Sequence, residues 1–326
     1  MKFFFKYIHD EPVLDALDYP LLGGNLNGPS LIRVPDWIKK PLGKYYLYFA
    51  HHEGTHIRLA YADALDGNWT VHEPGTLSLE HSLFCQQAPT PSAMHPDVLA
   101  SIATGIDGDY PHIASPDLHI DDAHEKIIMY YHGRIEDGTQ QTRLAESNDG
   151  ITFTPFSPLL GDSYFRVFQH RDCHYAIAWG SKLYRSGDGG YSFEEGPRLT
   201  QQNYRHGAIL RLEESDEIYV IWSRAGDCPE SLLISPIQYG DKPVRQKSQH
   251  DDWHEWRLGP AKVLHKPQRN WEGCNEPLVP SSYGGIMQAA HEIRDPCIYC
   301  EDDRIFLLYS IRGEQGIALG EISVAP

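Results

Sequence analysis

The sequence predicts an all-β fold, a five-bladed β-propeller, on three observations. Five short runs of β-branched and aromatic residues have the character of buried strands. Each is flanked by two further strand candidates, and an Arg-Leu-Ala signature recurs between the first two units. The chain has 326 residues, 41% of them hydrophobic and 11% aromatic, and its 28 Gly and 23 Pro are scattered rather than pooled in a linker. That pattern fits many short strands joined by tight turns in one domain spanning residues 1–326. A β-sandwich of similar strand content is the structural alternative.

The five central runs lie at residues 45–49, 127–131, 175–179, 219–222 and 305–309. Four are entered through polar hairpin turns, at Gly43-Lys44, 121–126, Ser215-Asp216-Glu217 and Asp302-Asp303-Arg304. An inner strand is expected before each run, at 29–34, 112–120, 164–168, 205–212 and 292–299, and a third element after it, at 57–61, 142–146, 182–186, 231–234 and 316–319. The echo is Arg58-Leu59-Ala60 against Arg143-Leu144-Ala145, which makes both arginines blade-packing residues. Turns closing on an aromatic follow at 66–69, 148–153 and 186–193. The last fits the Asp-box pattern S-x-D-x-G-x-x-F, in which Asp and Gly build the turn, so Asp188 is given no catalytic role. No helix is expected. Residues 76–110 and 238–282 read as insertions decorating the channel mouth, and residues 3–7 as an outer strand for the last blade that removes two open sheet edges.

A formal net charge of −17 opposes binding to nucleic acid or to an anionic membrane, because the far field repels polyanions. An acidic ligand must then be small and met by local arginines. The opening Met1-Lys2-Phe3-Phe4-Phe5-Lys6 is too short an apolar run for a signal peptide, and no apolar stretch is long enough to span a bilayer, so a cytoplasmic protein is expected. The six cysteines are dispersed, which argues against a disulfide framework. Cys297 and Cys300 form a C-x-x-C, but in a strand residues three apart face opposite ways, which disfavours a metal site. Nothing in the sequence sets an oligomeric state.

In a propeller the starts of the inner strands converge on one mouth. The polar residues placed there are Asn25, Asn27 and Ser30, then His112, Ser115 and Asp117, Tyr164 and Arg166, Arg205 and His206, and Glu292, Arg294 and Asp295. The ends of the second strands add His51, His52, His132 and Arg224. The histidines suggest a divalent metal as a remote option, but no H-x-H or H-E-x-x-H spacing supports one and no cofactor is expected.

Two inner-strand starts, Asn27-Gly28-Pro29-Ser30 and Ala114-Ser115-Pro116-Asp117, resemble the Asp-Pro-Ser and Ala-Pro-Asp motifs of glycoside hydrolase family 43 and its five-bladed relatives. The resemblance implies that Asp117 matches the family's second carboxylate, which orients and tunes the acid. It also exposes two departures. Gly28 stands where the family has its general base, and Tyr164-Phe165-Arg166 where it has its acid Glu. Glycoside hydrolysis ordinarily needs a pair of carboxyl groups.

What the mouth offers instead is His, Tyr and Arg, a set suited to β-elimination on a uronate. Arginine would neutralise the carboxylate as the α-proton leaves, and His or Tyr would supply acid and base. The expected catalytic residues are therefore His132, His206, Asp117, His112 and Tyr164. Arg166, Arg205, Arg294, His51, His52, Asn27 and Glu292 are expected to bind a small acidic oligosaccharide. An exo-acting hydrolase using Asp117 with other carboxylates such as Glu276, Glu292 or Asp295, and a non-catalytic sugar-binding propeller, remain as alternatives.

Overall fold

The computed structural model describes residues 1–212, 216–239 and 253–325. Five antiparallel sheets stand around a central channel, each running outward from an inner strand. Blade 1 comprises Asn27–Arg33, Tyr45–Ala50, His56–Ala62 and Thr70–Ser78, and blade 2 Ile113–Asp121, Lys126–Arg134, Gln140–Ser147 and the short Thr154–Pro155. Blade 3 comprises Arg166–His170, Cys173–Ile177, Lys182–Ser186 and Glu194–Arg198, and blade 4 Tyr204–Arg211, Ile218–Arg224, Leu232–Tyr239 and Trp256–Leu258. Blade 5 takes Arg294–Glu301, Arg304–Ile311 and Gly316–Ala325, and its outer strand is Lys2–Tyr7, paired from Lys2 opposite Ala325 to Tyr7 opposite Gly320. The expected ring closure therefore forms, and the sandwich alternative is excluded.

The second strands are buried on both faces because each is flanked by neighbouring blades; every residue of Tyr45–Ala50 is buried. This explains why they read as continuous apolar runs rather than alternating ones. Two turns link adjacent blades in the same way. The Ser186 hydroxyl accepts from Gly190 N–H at 2.9 Å, and the Asp188 carboxylate takes Tyr191 and Ser192 N–H. Ser147, Asp149 and Gly150 build an equivalent turn in blade 2. The carbonyl of each turn's glycine then accepts a tyrosine hydroxyl from the second strand of the preceding blade, Tyr48 to Gly150 at 2.7 Å and Tyr130 to Gly190 at 3.1 Å.

The seam between blades 4 and 5 is tied by the buried Glu272. One carboxylate oxygen pairs with His265 Nε2 at 2.6 Å and accepts from the Tyr309 hydroxyl at 2.8 Å. The other accepts from the Tyr7 hydroxyl at 2.7 Å and from Gln268 and Arg269 N–H at 2.8 and 2.9 Å. Burial alone would raise its pKa, but these partners outweigh it and hold the carboxyl below its ordinary range.

Several expectations need correction. The first insertion carries an α-helix, Pro96–Ala103, where none was foreseen; it has only two turns, with Pro96 in its first turn and Val98 as its buried residue, so it shows no sustained periodicity. Residues 76–78 belong to the outer strand of blade 1. The second insertion contributes Trp256–Leu258 and Lys262–His265, both paired with Leu232–Tyr239, rather than loop alone. Its residues 240–252, and residue 215 of the expected blade 4 turn, lie outside the described residues. No described helix is long and apolar enough to cross a membrane.

Candidate active site

Each inner strand except that of blade 3 begins with the same irregularity. Between Asn27 and Ser30, Ala114 and Asp117, Tyr204 and Gly207, and Arg294 and Cys297, three residue steps on the inner strand oppose two on its neighbour. An extra residue of this kind is a β-bulge, which bends the strand and re-aims its side chains. Gly28, Ser115 and Asp295, each followed by proline, take the positive φ this requires, at 58°, 48° and 52°. Tyr164, just before the blade 3 strand, also has a positive φ, 66°. For an aromatic residue this is unfavourable by about 1–2 kcal/mol, so its surroundings must hold it there.

What holds it is a pair of histidines. The Tyr164 ring lies between His132, at 4.2 Å between centroids, and His206, at 4.0 Å. Trp179 flanks it at 5.5 Å, and His112 touches His132 at 5.6 Å. Above this layer opens a cavity of about 280 Å³, lined among others by His52, Asp107, Tyr164, Trp179, Arg198 and His206. The first insertion walls one side with Val98 and Ser101 of its helix and with Asp107, and Gly284, just past the second insertion, lines the cavity as well.

His206 is oriented. Its Nδ1 contacts the Asp295 carboxylate, whose second oxygen accepts from the Ser310 hydroxyl at 3.1 Å. Its Nε2 is buried without a hydrogen-bond partner. Asp295 thus selects the tautomer with hydrogen on Nδ1 and leaves a lone pair on Nε2 beside Tyr164. Burial, helped by Arg205 and Arg166, pushes the imidazole well below its usual pKa, so it is neutral at physiological pH. His132 is likewise kept neutral, by burial first and then by His112 and His52, and neither of its ring nitrogens has a partner. His112 is lowered to about 4 by burial first and then by the neighbouring His52, and its nitrogens lie 3.2 Å from Tyr110 O and from Gln140 Oε1. Burial and Glu314 raise the Tyr164 phenol, which therefore stays protonated.

The expected arginine forks are already occupied. Arg205, 2% exposed, pairs bidentately with buried Glu230 at 2.8 and 3.1 Å and donates to the carbonyls of Ser282 and Gly284. Arg294, 0% exposed, is held by Glu292 at 2.5 Å, Glu314 at 3.1 Å and Gly284 O at 3.2 Å. Removing one partner from such a buried pair strands the other charge, at about 3–5 kcal/mol, so their first role is to hold the mouth together. Neither presents an open fork, contrary to the expectation. Glu292 is spent on Arg294, and burial raises its pKa despite that arginine. Asn27 donates to Glu314 at 3.2 Å, and His52 Nδ1 lies 3.4 Å from Glu314.

Asp117 and Arg166 are not at the mouth cavity. They face a second cavity farther down the channel, with Ser30 and Cys297, which follow the same bulge. Asp117 accepts from Val167 N–H at 2.7 Å and pairs with His119 Nε2 at 2.8 Å, while Arg166 donates to Pro116 O at 2.8 Å. Burial would raise Asp117, but His119, Arg166 and the Val167 N–H hold it below the ordinary carboxylate range. Asp117, the residue after the bulge proline, points into the channel rather than up into the cavity, and Arg166, in the blade without a bulge, faces the same lower cavity, so neither stands where it was expected. His51 also leaves the site: its Nε2 sits 3.3 Å from Gly23 O and its Nδ1 accepts from Glu53 N–H, because adjacent residues at a strand end face opposite ways.

Sequence reasoning missed Trp179, Glu230, Glu314 and Arg198. Reading second-strand ends found His52 and His132, and the same rule applied to blades 3 and 5 leads to Trp179 and Glu314. Glu230 and Arg198 carry no such positional signal. Among the described residues, no group of three or more His, Cys, Asp or Glu is placed to hold a metal ion.

No family model matches this sequence. It is 30% identical over 318 residues to "Uncharacterized protein R118" of Acanthamoeba polyphaga mimivirus, an alignment covering 90% of this chain and 82% of that protein. The chain belongs to the family of this mimivirus protein. Its fold is shared with glycoside hydrolase family 43 structures. A GH43 β-xylosidase/α-arabinofuranosidase from a compost microbial metagenome, in complex with xylotriose, superposes with a TM-score of 0.59 at 12% identity, over 98% of this chain and 96% of that one. The GH43_1 enzyme of Xanthomonas citri with xylotriose gives 0.56 at 11% identity over 96% and 88%. An exo-1,5-α-L-arabinanase from a bovine ruminal metagenomic library gives 0.55 at 10% identity over 92% and 94%. These likenesses establish the five-bladed propeller.

Proposed function

We propose that this chain is a carbohydrate-active enzyme that takes the end of a short uronate-containing oligosaccharide into the mouth cavity and cleaves it by β-elimination. The observation that carries the reading is the His206 imidazole, fixed through Nδ1 by Asp295 and bare at Nε2 against the Tyr164 ring. His206 Nε2 removes the proton α to the carboxylate, the C4–O bond breaks as the C4–C5 double bond forms, and the Tyr164 hydroxyl protonates the departing oxygen. Asp295 stabilises the imidazolium so formed, and solvent returns the proton from His206 to Tyr164. Trp179, which lines the cavity, offers an aromatic face to a sugar ring. The sugar ligands and activities named for the structural neighbours support carbohydrate as the substrate class.

A second reading, hydrolysis, is favoured by the glycosidase activities named for the structural neighbours. Incubation with a β-1,4-linked uronate oligosaccharide and, separately, with xylo-oligosaccharides separates the two. Elimination gives an ultraviolet-absorbing unsaturated product that His206→Ala and Tyr164→Phe each reduce by roughly 10²-fold or more. Release of neutral pentose with no new absorbance overturns it in favour of hydrolysis.

A further inference from the structure

With Arg205 and Arg294 consumed by carboxylates and Arg166 placed below the cavity, an acidic substrate needs another cation. Arg198 ends the outer strand of blade 3, lines the same cavity as Tyr164, Trp179 and His206, and is exposed. No ion pair to a carboxylate is formed by it among the described residues. Its Nη1 donates to Gly180 O at 2.8 Å, which fixes the plane of the guanidinium and leaves other N–H groups available.

The backbone makes room for this. Gly180 has φ +63°, and a Cβ there would lie 1.9 Å from Arg198 Nη1, so any larger residue would evict the guanidinium. The adjacent Trp179 supplies an aromatic face beside the charge. The cavity's acids do not cancel it. Asp107 is paired with Arg134 at 2.9 Å, Asp97 sits on the solvent rim with its side chain 93% exposed, and the Asp162 carboxylate is hydrogen-bonded with the Tyr184 phenol, whose oxygen also accepts from Asp162 N–H at 3.1 Å.

We propose that Arg198, held over Gly180, is the group that binds the sugar carboxylate and gives the cavity its preference for uronates over neutral sugars. The inference rests on the reading of this mouth as a sugar site; binding tests Arg198, whereas the absorbance assay tests the chemistry. Calorimetric titration compares a uronate oligosaccharide with its carboxyl-reduced counterpart, at low salt, on the native protein and on Arg198→Gln, Arg198→Lys and Gly180→Ala. The native protein should prefer the uronate. Arg198→Gln should weaken uronate binding on the order of 10- to 100-fold and leave the reduced sugar unchanged, as expected for loss of a charge-assisted pair. Arg198→Lys should restore only part, since lysine lacks the fork. Gly180→Ala should lose the preference with the charge still present. Melting temperatures within a few degrees of native exclude misfolding. A native protein without preference for the uronate, or a preference that survives Arg198→Gln, overturns the proposal whatever the absorbance assay shows.

Discussion

At the scale of single residues, what distinguishes this mouth is that its ionisable groups are sorted into paired charges and neutral rings. Asp295 sets the His206 tautomer, so Asp295→Asn should retain substrate binding yet lower kcat by roughly 10²- to 10⁴-fold, because the amide can favour the wrong tautomer. An unchanged kcat would remove His206 as the base. The neutral histidines also carry a stability signature. His112, His132 and His206 all have folded pKa values below the usual 6.5, so just below that pH the unfolded chain binds protons that the folded chain refuses. Their stabilising contribution is fully present above about pH 6.5 and is lost as pH falls through the folded values, which for His112 is about 4. Urea unfolding should therefore give a protein less stable at pH 5 than at pH 7, with His112 alone accounting for about 2 kcal/mol of the difference. Equal midpoints at both pH values would contradict this. The residue types of the site were legible in the sequence, since His132, Tyr164 and His206 do meet. The partner of Arg205 was not, because Glu230 reaches it through a tertiary contact that no spacing encodes.

At the scale of elements, the bulge and the glycine turn are the recurring devices. The bulge explains why a residue read as part of the mouth can sit below it. Asp117 follows its bulge and turns into the channel, since a shift of one residue on a strand reverses the face presented; Arg166, on the blade without a bulge, faces the same lower cavity. The sequence shows Pro29, Pro116 and Pro296 but does not show that each proline marks the turn from cavity to channel. The turns give a test of blade docking. Tyr48→Phe removes the hydroxyl that meets Gly150 O and should lower stability by about 1 kcal/mol with no effect on turnover. Glu272→Gln should cost more, about 2–4 kcal/mol, since it removes the charge on which two tyrosines, a histidine and two backbone N–H groups converge. Denaturant midpoints for the two variants would rank these effects, and a Glu272→Gln protein as stable as native would show that the seam does not depend on this residue's charge.

At the scale of the whole molecule, the propeller was legible because a central blade strand is buried on both sides and therefore spells itself as an unbroken apolar run five times over. The insertions were not, since a two-turn helix and strands of three or four residues leave too little pattern to read. The overall charge of −17 adds a kinetic expectation. An anionic oligosaccharide approaches against the far field and is attracted locally by Arg198, so kcat/KM on a uronate should rise with modest added salt, then fall as the local pair is screened as well. A neutral sugar should show neither phase.

The pairing of residues 2–7 with residues 320–325 has a consequence for synthesis. The strand at residues 2–7 is made long before its partner, and Phe3 and Phe5, which pack on the core of the last blade, wait unburied until residues 320–325 have emerged to receive them. The other four blades complete in order as the chain lengthens. This one cannot, so the apolar segment at residues 3–5 is the natural place for a chaperone to hold, and the ring is sealed only after residues 320–325 have been made.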